Sequence, residues 1–150
     1  MGERSMNKNE KRMIDLMIEE ITKAIKDNSS KADDKKLLEW VGNLEIQDYL
    51  VNKNSQHPMK GFVTEAIAIR DPFIYTLSII SGEQTHGTLL ISSISSITST
   101  LSKERAIQFQ IIMESGLVFK MYLLPESWEK MLQFKMKVEK LIEDKRRIFT

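Results

Sequence analysis

The spacing of apolar residues changes period along this chain, and each change marks a different kind of element. From Asn7 to Asp27 the period is helical. Met13, Leu16, Met17, Ile21, Ala24 and Ile25 recur at intervals of three and four, Ile14 and Ile18 widen the stripe, and charged residues fill the rest. Asn28-Ser29-Ser30 should stop the helix, because these side chains compete for backbone hydrogen bonds. Asp33 or Asp34 can cap a second, shorter helix with Leu37, Leu38 and Val41 on its inner face and Trp40 alongside. Gly42-Asn43 offers that helix a left-handed end. The pair reads as a helical hairpin over residues 6–43. Its apolar stripe either packs on its own domain, the commoner use, or meets a second copy or a partner.

From Leu44 onward the pattern shortens. Leu44 to Val51 reads as a strand on the parity of Leu44, Ile46 and Leu50, although Asp48 breaks it. Asn52 to Pro58 reads as a loop by composition. After Gly61 charges thin out and Ile, Thr, Val and aromatics take over, which suits half-buried pleated strands. Phe62 to Ile69 is a strand with Ala66 and Ala68 on one face and Ile67 and Ile69 on the other. Asp71-Pro72 turns the chain into a strand from Phe73 to Ile80. Ser81 to Gly87 reads as a loop, and Thr88 to Ile91 begins the next strand.

Ser92 to Ser102 fits two patterns. Leu90, Ile94, Ile97 and Leu101 suit a helical face, yet eight of the eleven residues are Ser or Thr, which disfavour helix interiors. An irregular or bulged strand is the favoured reading. Ile107 to Met113 and Leu117 to Leu123 form a hairpin around Glu114-Ser115-Gly116, with glycine where a positive φ is wanted. Phe109 and Ile111 share one face, as do Phe119, Met121 and Leu123. Pro125 ends the sheet, Ser127 suits an N-cap, and Glu129 sits where the helix dipole favours an anion. Trp128, Met131, Phe134, Val138 and Leu141 then step along a closing helix, flanked by Leu132 and Ile142. From Trp128 to Arg147 it would run about 30 Å.

Composition narrows the class. With 150 residues, 41% hydrophobic and 29% charged, the chain is ordinary globular material. The net charge of +1 gives no global field for nucleic acid, and no nucleic-acid partner is expected. A local excess lies in residues 127–150, with seven Lys/Arg against four Asp/Glu, ending in Lys145-Arg146-Arg147. There is no cysteine, which removes disulfides, thiolate catalysis and Cys-based zinc sites. With no apolar run of membrane length and no signal-like start, the expected setting is cytosolic. Met1 to Ser5 ahead of Met6 reads as an added leader and is left out of the fold argument.

Two stretches, LLISSISSITS with its I-x-x-I step and FQIIMESGLVFKM (Phe109 to Met121) leading to Trp128, resemble small bacterial pleckstrin-homology (PH)-like domains. The resemblance covers roughly Leu44 to Ile142. It implies an α+β domain over residues 44–148, an antiparallel sheet or barrel closed by one C-terminal helix. It also implies a scaffold that binds lipid headgroups, peptides or proteins. Lipid-binding members carry a basic cluster between their first strands. Here that region offers only Lys53, Lys60 and Arg70, spread apart with His57 between them.

Candidate chemistry is sparse. His57 and His86 lie in expected loops, without the three or four ligands a metal needs. Glu19-Glu20, Asp33-Asp34 and Glu143-Asp144 sit on expected helix surfaces or caps, whereas acid–base work needs a desolvated carboxyl. No nucleotide loop or nucleophile elbow occurs. No catalytic, metal-binding or cofactor-binding residue is assigned and no cofactor is expected. The expectation is a non-catalytic module that binds another protein or a second copy of itself. The alternative partner is an anionic lipid or membrane surface touched by Lys53, Lys60, Arg70, Lys145, Arg146 and Arg147.

Overall fold

The computed structural model describes residues 12–27, 45–52, 56–57, 61–80, 83–101 and 106–148. Helix α1 (Met13–Asp27) precedes β1 (Asp48–Val51), β2 (Gln56–His57), β3 (Gly61–Arg70), β4 (Phe73–Ile80) and β5 (Glu83–Leu90). A 3-10 turn at Ile91–Ser93 leads to β6 (Ile94–Leu101), β7 (Ile107–Met113) and β8 (Val118–Leu123). A second such turn, Pro125–Ser127, opens α2 (Trp128–Ile148). The class is α+β, with two antiparallel sheets and a C-terminal helix. One sheet has the order β1-β3-β4-β5, with β2 also on β3, and the other the order β6-β7-β8.

The sheets are separate ladders, so no closed barrel forms among the described residues. The turn after β5 is the physical reason. Ile91 N–H donates to Pro72 O at 2.9 Å, and the chain then leaves the first sheet. Of the expected helical hairpin, α1 alone falls within the described residues. The second helix, 33–43, lies outside them.

The two-faced strand read at residues 62–69 is the centre of the fold. Ile67 and Ile69 of β3 face a main core, with Leu50, Ile74 and Leu89 from the same sheet. Phe109, Ile111 and Met121 from the second sheet, and Met131, Phe134 and Val138 from α2, complete it. Phe109 and Phe134 meet edge to face, 6.1 Å between centroids, a geometry the ring quadrupoles favour. Ala66 and Ala68 face the other way, into a second core with Tyr49, Val51, Leu77 and Ile79. Their small side chains leave room for a helix, and Ile14, Met17 and Ile21 of α1 fill it. The stripe of α1 is therefore centred on Ile14, which the periodicity places at its margin. Met13, Leu16 and Ile18 are its half-buried flanks.

A residue far along the chain caps this helix. The Glu45 carboxylate accepts from the Met13 N–H at 2.9 Å and from Arg12 Nε at 2.7 Å. The Arg12 guanidinium holds the Glu45 carboxyl below its ordinary range, and the free amides of Met13 and Ile14 add to this.

Several expected boundaries move. The strand expected over 44–51 pairs with β3 only from Asp48 to Val51. Gln56 and His57 are strand, not loop, because they extend the β1 edge of β3, opposite Phe62 and Gly61. Ser81 to Gly87 is not a loop throughout. Glu83 to Gly87 pairs with Ile80 to Thr76 of β4, so both histidines fall on strands. Polar composition hid β5, whose outer side chains face solvent. Gly87 suits this place, since a Cβ there would lie 2.7 Å from Thr76 Oγ1. The Ser/Thr-rich segment is a strand, with a register shift between Ile94 and Ser96. The hairpin turns at Gly116, φ 93°. Trp128 departs from its expected stripe. It is 39% exposed, and α2 enters the core only from Met131.

Candidate functional site

Of the cations singled out in the sequence, the four among the described residues do not converge on an open anion site. Lys53 and Lys60 lie outside the described residues. Arg70, at the end of β3, carries its guanidinium 5.3 Å from the centroid of the Tyr75 ring. Lys145 Nζ lies 2.6 Å from Asp71 Oδ1, so the end of α2 is tied to the β3–β4 turn. Arg70 and Lys145 are thus brought to one region with a carboxylate between them. Arg147 pairs with Glu143 one turn back at 3.0 Å. Arg146 stands apart from both and faces β6.

His86 is exposed on β5, its ring against the Gln84 amide. Among the described residues no group of three or more His, Cys, Asp or Glu could hold a metal. No described helix is long and apolar enough to cross a membrane.

Glu20, expected as a solvated surface residue, instead joins a cluster between three elements. Lys130 Nζ of α2 lies 3.6 Å from Glu20 Oε2 of α1 and 3.7 Å from the centroid of Tyr49 on β1. Burial pushes the Tyr49 phenol well above its ordinary range, and the neighbouring Glu20 charge adds to this. A phenol so hard to ionise is no base at neutral pH. The cluster is a clasp that fixes α1 and α2 to the edge of the sheet. Its phenol titrates higher folded than unfolded, so its contribution to stability is complete below the unfolded pKa of about 10 and is lost as pH rises further. The phenolate absorbance of the wild type minus that of Tyr49→Phe should therefore rise only above that value. A midpoint at the free-tyrosine value would rule the clasp out.

A groove lies where β6 meets α2. β6 pairs with β7 on one side, and among the described residues no strand takes its other edge. The shift between Ile94 and Ser96 bends the strand there. Ser95, Ser96 and Ile97 line one side of the groove, and Glu139, Ile142, Glu143 and Arg146 of α2 line the other. Ile97 is nearly buried and Ile142 half-buried, so they offer a small apolar seat within a lining that is otherwise polar. The α2 wall carries two carboxylates and ends in a guanidinium. Such a groove combines unpaired strand amides and carbonyls, an apolar seat and an acidic wall. Those are the needs of an extended peptide.

The sequence marked these residues only as a strand of disputed type and a helix face. Ile91, Ile94 and Ile97 are all buried despite a spacing of three. The 3-10 turn and the register shift reset the face each time, which is why a helix fitted the pattern. No family model, curated protein or solved structure matches the chain.

Proposed function

We propose that the chain is a non-catalytic, cytosolic protein-binding module of PH-like fold. It takes an extended segment of a partner protein as an added strand on β6, against α2. The observation that carries this reading is the bent edge of β6, which no described strand pairs, facing an apolar and acidic helix wall. The PH-like assignment draws on two successive antiparallel meanders followed by one long helix that packs into the core they enclose. The cytosolic setting draws on the absence of cysteine. The partner segment carries an apolar side chain for the Ile97–Ile142 seat and a basic one for Glu139. The membrane-surface alternative is weaker, because Lys145 and Arg147 already face carboxylates.

The test is selection of peptides from a random display library against the full chain, followed by amide chemical-shift mapping. Selected peptides should combine apolar and basic residues and shift residues 94–99 and 139–146. Glu139→Lys with Glu143→Lys should weaken them roughly tenfold or more, since charge complementarity decides much of such discrimination. Shifts confined to other surfaces would reject the groove. Binding to phosphatidylserine vesicles that fades with salt, with no peptide selected, would favour the membrane alternative.

A further inference from the structure

Among the described residues, a second strand edge is unpaired at the far side of the larger sheet. β5 gives every residue from Glu83 to Leu90 to β4 in unbroken register, and it ends the sheet. Edge strands are normally blunted by a charge, a proline, a bulge or a covering element. From Gln84 to Leu90 there is no charged residue, no proline and no bulge. Thr85, His86, Thr88 and Leu90 are exposed. The other strands beside free edges differ. β6 is bent and walled by α2, β8 carries Lys120, and β1 holds Asp48 tied to Lys137 of α2 at 3.2 Å.

We propose that β5 is a self-association edge, on which two copies of this chain pair antiparallel about a two-fold axis at Gly87. The choice of a second copy follows from symmetry. Closed dimers are overwhelmingly two-fold, and an antiparallel strand pair is two-fold by construction. Side chains alternate faces along a strand, and opposed residues share a face. The axis must then pass through one residue that faces its own copy. With Gly87 there, no side chain collides on the axis. His86 faces Thr88 of the second copy, and Gln84 faces Leu90, with no carboxylate or ammonium group among them. The β6 edge suits a single extended peptide instead, because the α2 wall obstructs a second folded sheet.

The experiment is sedimentation of the full chain over a wide concentration range, with amide hydrogen exchange on the same samples. The mass should rise from one chain to two, and exchange at residues 84–90 should slow as it does. His86→Lys with Thr88→Lys sets ammonium groups opposite each other across the axis and should hold the mass at one chain. His86→Gln with Thr88→Ser adds no charge to the edge and should dimerise like the wild type. All four substitutions are at exposed positions, so the melting temperature of each variant reports on folding separately. A single-chain mass throughout would overturn the proposal, as would a lysine variant that dimerises like the wild type. Exchange at residues 84–90 that ignores concentration would also overturn it. Failure of the β6 peptide test leaves these readouts untouched.

Discussion

Phe134→Ala is expected to lower the unfolding free energy by about 4 kcal/mol, within the range for truncating a buried aromatic. Phe134 is fully buried and meets Phe109 edge to face, where both sheets and α2 converge. Truncation removes transfer energy and the ring pair together, and it opens a cavity among Ile and Met side chains that cannot all collapse into it. For a chain of this size the melting temperature should fall by about 10 °C or more. Urea unfolding followed by far-UV circular dichroism gives the first number, and a thermal scan gives the second. Phe134→Leu, which keeps most of the volume, should cost markedly less. Equal losses for the two substitutions would mean that the ring pair, and not the filled volume, carries the stabilisation there.

The second large effect should come from Met17→Asp. Met17 is fully buried between α1 and the Ala66–Ala68 face of β3. A carboxylate there has no cation to meet, and burying it unpaired costs more than lifting the helix away. The expected result is release of α1, with a loss of about 3–5 kcal/mol for the anchoring of this core. Trypsin should then cut after Lys23 in the variant much faster than in the wild type. An unchanged urea midpoint with unchanged resistance to trypsin would show that α1 is not held through Met17.

Much of this architecture is legible in the residues, and the reasons differ from place to place. The alternation of Ala66 and Ala68 with Ile67 and Ile69 announces a two-faced strand, but its composition suggests a half-buried one, and burial of both faces becomes visible only when α1 and α2 cover them. Glu114-Ser115-Gly116 announces a hairpin, since its turn needs a positive φ. β5 is hidden because Gln84 to Gly87 pair through their backbones, and polar side chains say nothing of that. Trp128 misleads because a large apolar residue on the right parity still needs something to cover it. Glu20 and Glu45 look like ordinary surface carboxylates, since their partners Lys130 and Arg12 lie far off in the sequence. The groove is illegible for the same reason: Ser95 to Ile97 and Glu139 to Arg146 share no local pattern until the second sheet turns the chain back on itself.

The cap on α1 has a consequence for the order in which the molecule can assemble. Glu45, which accepts from the first amide of the helix, lies 32 residues further along the chain. The apolar face of α1 is completed only by side chains as late as Leu77 and Ile79. A helix of 15 residues without cap or partner is marginal in water. During synthesis on a ribosome α1 is therefore made well before it can become stable. It must stay unaggregated, apolar stripe and all, until β4 has emerged.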